Sequence, residues 1–213
     1  MRGFLLSAAF RKVVLAVSGA GMMVVGSGVA TTMVAVATTV PKPVIIYLHA
    51  YGESPAAGLY RQDIIDSLRA HATVLTPELC GATSGATDCA VEEAHRLKLQ
   101  HSPNRPVKVL ALSMGAITLR NWKAAYPDDV GVAVGLIPAT GTVATEATTR
   151  IAFADQSPPV PWGVSRFVCW YSPEDDVVGA PVPGSCTERH TIAGGHSALL
   201  EFPVPAIVDV LRS

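Results

Sequence analysis

From Pro43 onward, short apolar runs rich in β-branched residues alternate with longer stretches that carry one apolar stripe at helical spacing. This alternation constrains the fold more than any other feature. "VIIYLH" (Val44 to His49), "TVLTP" (Thr73 to Pro77), "VKVLAL" (Val107 to Leu112), "VGVAVGLI" (Val130 to Ile137), "RFVCWY" (Arg166 to Tyr171) and "RHTI" (Arg189 to Ile192) read as strands. The continuous apolar runs fit strands covered on both faces. Between Ala57 and Ala70, Tyr60, Ile64 and Leu68 recur at every fourth position and predict a helix. A second helix is expected to be capped by Asp88, with Glu92 and Glu93 early and Arg96 and Lys98 late, an order that complements the helix dipole. Met114 to Ala125, stopped before Pro127, and Ala206 to Arg212 read as two more helices. The expected fold class is α/β: a three-layer sandwich around a mainly parallel, doubly wound sheet. In such sheets ligands bind beyond the carboxyl ends of the strands, so the loops that follow strands are where chemistry is expected.

The first forty residues differ in composition. Arg2, Arg11 and Lys12 precede the uncharged stretch Val13 to Val40, which is long enough for a membrane-spanning helix of about 20 residues. The basic flank places the N-terminus in the cytoplasm and the remainder outside. Ala35-Val36-Ala37 also fits a small-x-small cleavage signal, so a removable signal peptide competes with an N-terminal anchor, and a packing segment with no targeting role is the third option. Residues 1–40 are thus expected to act as leader or anchor, with possible membrane association through 13–40. Residues 41–213 are expected to form the catalytic domain.

Four cysteines fall as two local pairs, Cys80 with Cys89 and Cys169 with Cys186. In an exported chain this pattern favours two sequential disulfides over reduced, buried thiols. No Cys-x-x-Cys or His-x-x-x-His spacing points to a metal, and no cofactor is called for. The formal net charge of -1 and the absence of a Lys/Arg run argue against nucleic acid as a partner. A small-molecule or lipid ester suits this chain better than a polyanion.

Ser113 stands where the third strand run passes into a helix, in the sequence Ala111-Leu112-Ser113-Met114-Gly115. A serine on such a turn projects over a helix N-terminus, whose partial positive charge favours an oxyanion. Small residues two before and two after it are needed to let the turn close, and Ala111 is the smallest choice after glycine. The serine needs a base, and the base an orienting acid. The loop after "RFVCWY" offers Glu174, Asp175 and Asp176, and the loop after "RHTI" offers His196. The order Ser113, Asp175, His196 is one that this sheet architecture uses, with the backbone N–H of Met114 as one oxyanion donor.

In "LHAYGES", "ALSMGA", "SPEDDVVG" and "GGHSALL", the chain from Pro43 to the C-terminus resembles the α/β-hydrolase superfamily of serine esterases and lipases. The nearest resemblance is to its small lidless members, which implies a minimal α/β-hydrolase fold. The resemblance selects Asp175 over Asp176, because the family's acid stands before a D-x-V-V run. It also assigns the second oxyanion donor to Tyr51, in a loop where Ala50 replaces the family's glycine. His49 is expected to brace that loop rather than act as a base, and His190 to project away from the site. His95 and His101 are expected to be solvated. Trp162 and Trp170 are candidates to line an acyl pocket, with packing the default for Trp. Residues between Pro138 and Arg166 are expected to form a flap or a surface connection.

The implied function is cleavage of short, medium or lipid carboxylic esters through an acyl-enzyme, with no cofactor or metal. Acyl transfer or thioester cleavage on the same triad is the first alternative. A binding protein that keeps the fold without turnover is the second.

Overall fold

The computed structural model describes residues 21–25, 32–36, 42–50, 53, 61–78, 86–139, 163–178, 180–181, 183–196 and 202–213. The chain divides into two units, Met1–Pro41 and Lys42–Ser213. In the first, β1 (Gly21–Val25) and β2 (Thr32–Val36) pair antiparallel, with Gly21 opposite Val36. A spanning helix was the anchor expectation here; the described residues form strands instead. Val and Thr favour extended backbone, and Gly is costly inside a helix. No helix among the described residues is long and apolar enough to cross a membrane.

The second unit runs β3 (Val44–Leu48), α1 (Gln62–Arg69), β4 (Thr73–Leu75), α2 (Ala86–His101), β5 (Val107–Leu112), α3 (Gly115–Ala125), β6 (Val130–Leu136), β7 (Arg166–Tyr171), β8 (Glu188–Thr191) and α4 (Val204–Arg212). Its six strands form an open sheet in the order β4-β3-β5-β6-β7-β8, and every adjacent pair is parallel. From β3 the chain moves outward to β4, then crosses back to β5 and proceeds the other way. The strand order therefore reverses between β3 and β5, and a crevice opens at such a switch point beyond the strand ends.

Successive strand residues point to opposite faces, and both faces are covered. Ile45, Tyr47, Leu110, Leu112, Val134, Leu136, Val168 and Trp170 pack with Ile64, Ile65 and Leu68 of α1 and Ile207 and Leu211 of α4. On the other face, Val44, Ile46, Leu48, Val107, Val109 and Phe167 pack with Ala90, Val91 and Ala94 of α2 and with Ala116, Leu119 and Trp122 of α3.

Some boundaries depart from the sequence pattern. α2 begins at Ala86, so Asp88 lies in its first turn rather than at its cap, a place where an acidic residue still suits the dipole. α4 begins at Val204 and takes Pro205 into its first turn, where the missing N–H has no intrahelical partner to lose. The strand run at Thr73 stops at Leu75, and the expected helix start at 57–60 lies outside the described residues.

At the amino end of the strands a buried carboxylate joins four elements. Asp129, just before β6, accepts hydrogen bonds from His95 Nδ1 at 2.6 Å and Trp122 Nε1 at 2.9 Å. Lys98 Nζ lies 3.3 Å from its second oxygen, and its backbone carbonyl accepts Val107 N–H at 2.7 Å. His95 is therefore not a solvated residue: its ring also stacks on Tyr126, with centroids 3.6 Å apart. His101 is exposed. Burial alone would raise the Asp129 pKa, but the hydrogen bonds from His95, Trp122 and Lys98 and the charge of Lys98 outweigh it and hold the carboxyl below its ordinary value.

Asp129→Asn should therefore destabilise the fold by about 2 kcal/mol at neutral pH, the scale of hydrogen bonds to a charged group. That corresponds to a fall in Tm of about 4–8 °C by calorimetry. Because the folded-state pKa is below the unfolded one, the stabilisation is present above about pH 4 and is lost as pH falls through the folded pKa. The gap between parent and variant should close on acidification below that range. An equal gap at neutral and strongly acidic pH would show that the carboxylate charge is not what holds this corner.

Candidate active site

β5 ends at Leu112 and α3 begins at Gly115, so Ser113 and Met114 must turn the chain. Ser113 takes φ 47°, in the left-handed region, where a non-glycine residue is strained by about 1–3 kcal/mol. Neighbouring backbone holds it there. Ser113 N–H donates to the Leu136 carbonyl at 3.0 Å, and the Ser113 carbonyl accepts from Ala116 and Ala139, each at 3.1 Å. The turn also needs Gly115, since a Cβ there would sit 2.1 Å from the Leu48 carbonyl oxygen. Two residues before the serine, Ala111 is fully buried, in register with Leu48 on one side and Gly135 on the other. Gly135 is itself required, since a Cβ there would lie 2.9 Å from the Pro138 side chain and 3.0 Å from the Phe167 ring.

Asp175 follows β7 in a turn tied by Asp175 N–H to the Ser172 carbonyl (3.2 Å) and Glu174 N–H to Ser172 Oγ (3.1 Å). Its side chain is fully buried, while Glu174 and Asp176 are exposed. Oδ1 accepts the N–H groups of Val177 (2.9 Å) and Val178 (3.0 Å), and Oδ2 lies 2.9 Å from His196 Nδ1. Burial opposes the charge on this carboxyl, but the bonds from His196 and Val178, the attraction of His196 and the bond from Val177 together hold its pKa below the ordinary value.

His196 follows β8, after a turn that Gly194 allows at φ 87°. Its Nε2 lies 3.4 Å from Ser113 Oγ. Carboxylate oxygens only accept, so Nδ1 carries the proton and the Nε2 lone pair faces the serine. The fold thus brings together Ser113, His196 and Asp175 from three separate strand ends. The Cys169–Cys186 disulfide ties β7 to the segment just before β8, and Arg166 pairs with Glu188 at 2.7 Å across the two strands. Cys89 is also disulfide-bonded; Cys80, the partner expected for it, lies outside the described residues.

Met114 stands at the opening of α3, where the first N–H groups of a helix have no intrahelical acceptor. Tyr51 and Trp162 lie outside the described residues, as do residues 140–162 of the expected flap. Trp170 is buried in the core and stacks against His190, with centroids 4.7 Å apart. His49 is buried, with Nδ1 3.0 Å from the Ala50 carbonyl, and among the described residues its Nε2 has no hydrogen-bond partner. Among the described residues no group of three or more His, Cys, Asp and Glu is placed to hold a metal ion.

Sequence reasoning missed Glu53. It is 6% exposed, accepts the Ala50 N–H, and lies 3.2 Å from the Tyr47 hydroxyl through each carboxylate oxygen. Burial and this carboxylate push the Tyr47 pKa well up, with the nearby Arg61 charge acting the other way. Arg61 is itself buried, over the Phe202 ring at 5.4 Å. The available signal was an acidic residue so soon after a fully apolar strand.

No family model and no curated protein matches the chain in sequence. Solved structures do match in shape. 2-Hydroxy-6-oxo-6-phenylhexa-2,4-dienoate hydrolase from Rhodococcus sp. aligns at TM-score 0.59 and 12% identity, over 92% of this chain and 96% of that one. A monoacylglycerol lipase from Paleococcus ferrophilus aligns at TM-score 0.54 and 13% identity, over 81% and 96%. A metagenome-derived lipolytic enzyme, described with LipS and LipT, aligns at TM-score 0.56 and 16% identity, over 79% and 91%. Likeness at these identities concerns architecture, and together with the open parallel sheet it shows that the chain has the α/β-hydrolase fold.

Proposed function

We propose that the protein is a serine hydrolase that cleaves carboxylic esters through an acyl-enzyme. The observation that carries this reading is the chain of contacts from Ser113 Oγ through His196 to buried Asp175, 3.4 Å and then 2.9 Å. The first distance is longer than an optimal hydrogen bond, as is common without substrate. In the proposed reaction His196 Nε2 takes the Ser113 proton as Oγ attacks the ester carbonyl. The imidazolium that results is stabilised by Asp175, whose depressed pKa keeps it charged. The oxyanion is met by Met114 N–H at the positive end of α3 and by Tyr51 N–H from the loop after β3. His196 then passes its proton to the leaving alcohol. In the second half, His196 takes a proton from water as its oxygen adds to the acyl carbonyl, and on collapse the bond to Oγ breaks while His196 returns that proton to Ser113 Oγ, releasing the acid. The lipolytic enzymes among the structural neighbours support an ester as substrate.

We further infer that the domain works outside the cytoplasm. The Cys169–Cys186 disulfide is compatible with an oxidising compartment, where such bonds persist.

Three measurements test the hydrolase reading. A fluorophosphonate probe should label the folded parent at Ser113 and leave Ser113→Ala unlabelled, with a loss in ester hydrolysis of at least ~10⁴-fold and an unchanged far-UV spectrum. Labelling elsewhere, with activity kept, would place the nucleophile at another residue. Asp175→Asn should lower kcat by about 10³–10⁴-fold. Asp176→Asn, an exposed change, should stay within about threefold of the parent. The reverse ranking would make Asp176 the acid.

A further inference from the structure

We infer that Cys186, through its bond to Cys169, is a positioning residue for His196, so that ester hydrolysis depends on the redox state of this pair. This rests on the serine hydrolase reading above. The two cysteines bracket the acid and precede the base: Asp175 lies between them in the chain, and Cys186 stands just before β8, the strand that leads to His196. Cys169 is fully buried in β7, in register with Gly135 of β6 and Arg189 of β8. It cannot move without the sheet. Cys186 is partly buried and packs against the apolar cluster on the α2 and α3 face, to which Cys169 and Phe167 belong. The bond thus anchors the approach to β8 to the interior of the sheet, across a sequence separation of 17.

β8 needs such an anchor. It is the edge of the sheet, among the described residues it pairs with β7 alone, and none of its four side chains is buried. The strand therefore gains little from burial of apolar surface, and a segment of that kind opens locally more readily than the core. The Arg166–Glu188 pair beside it is exposed on both sides and adds little. Its ladder to β7 runs from the Thr187 N–H, donated to the Phe167 carbonyl at 2.8 Å, to the Ile192 N–H, donated to the Tyr171 carbonyl at 2.9 Å. The turn that presents His196 begins where this ladder ends. A crosslink between Cys169 and Cys186 removes freedom from the open state of the segment and so favours the docked one. With the bond broken, β8 parts from β7 more often and carries His196 away from Asp175 and Ser113, while Asp175 stays bonded to the Val177 and Val178 amides.

Reduction takes the ordinary course of thiol exchange with a dithiol. A thiolate of the reductant attacks Cys186 Sγ, the less buried sulfur, the S–S bond breaks, and Cys169 leaves as a thiolate and takes a proton. The second thiolate of the reductant then displaces Cys186, which is protonated in turn. The reductant ends as a cyclic disulfide, having given two electrons and two protons to the pair. In a compartment rich in dithiols the enzyme is idle, and transfer to an oxidising one completes the site.

The test uses the full-length protein and p-nitrophenyl butyrate at a temperature below every melting transition, and follows kcat, KM and the far-UV signal. The oxidised parent is compared with the parent in dithiothreitol, with Cys169→Ala/Cys186→Ala in and out of dithiothreitol, and with Ser113→Ala. Alkylation and peptide mapping report which disulfide has opened. Because kcat scales with the fraction of molecules whose base is docked, reduction of the parent should lower it by at least about tenfold, with KM within about threefold and the far-UV signal kept. Reoxidation should restore it. The double variant should match the reduced parent and respond to dithiothreitol by less than about threefold, although its bond at Cys89 can still open. A double variant or a reduced parent within about threefold of the oxidised kcat overturns the inference, and so does a loss that appears only together with the far-UV signal. Should the double variant not fold, the titration of the parent decides: activity that falls with the Cys169–Cys186 bond and ahead of the far-UV signal supports positioning, and activity that follows the Cys89 bond overturns it. An active Ser113→Ala would remove the hydrolase reading itself. An inactive Ser113→Ala beside a fully active reduced parent would remove only the role of the disulfide.

Discussion

The contact on which the rest of the site depends is between the Leu48 carbonyl at the end of β3 and Gly115 at the start of α3. A Cβ at position 115 would lie 2.1 Å from that oxygen, so the helix can begin this close to the sheet only without one. Close approach does two things at once. It sets the N-terminus of α3 beside the point where the strand order reverses, and it forces β5 to pass into α3 through only Ser113 and Met114. So short a connection leaves Ser113 with positive φ, and the strain is held by Leu136 at the end of β6 and by Ala139 just after it. The same pattern recurs one strand further on. Ile137, a β-branched residue for which positive φ is unusual, takes φ 39° and donates its N–H to the Trp170 carbonyl at 2.7 Å. Strained residues at the ends of β5 and β6 are thus each held by the next strand, and the sheet carries the strain as a unit.

Among the described residues the fold places three buried carboxylates around this frame, each at a junction of elements. Asp129 joins α2, α3 and the strands at their amino ends, Glu53 ties the loop after β3 to that strand, and Asp175 holds the loop after β7 against His196. A buried carboxylate without donors is costly, so such groups persist only where several N–H or O–H groups converge. Burying apolar surface gives the sheet its cohesion but has little direction. The carboxylates add direction, because their partners must arrive at defined distances and angles.

This difference also explains what could be read from the chain. The strands were legible because coverage on both faces leaves a run such as "VIIYL" wholly apolar, a pattern local to the sequence. Ser113 was legible by position, between such a run and a helical stripe. Glu53 was not, because a buried carboxylate and a solvated one are the same letter, and its partners Ala50 and Tyr47 become partners only when the loop closes. His95 failed for the same reason: Asp129 lies 34 positions away, and nothing in a polar helix marks the residue that turns inward. Asp88 was misplaced by three residues because an acid suits both the cap and the first turn, and composition does not separate them. The uncharged stretch before Val40 was ambiguous in kind. Its length suits a helix and its Val and Thr suit strands, and where it is described the second preference prevails.

Two alanines stand where relatives of this fold are expected to have glycine, and the structure treats them differently. At position 111 the methyl packs in the cluster on the α2 and α3 face of the sheet, with Leu48 and Ala116. At position 50 it packs in the cluster on the other face. Ala50 is buried within the apolar cluster that includes Tyr47, Met114 and Phe202, so its methyl packs as core. Glycine in such a loop leaves the backbone free to adapt; alanine, packed and bonded through both its N–H and its carbonyl, cannot. Alanine at position 50 thus fixes the end of β3 through its methyl as well as its backbone, where glycine would fix it through backbone alone.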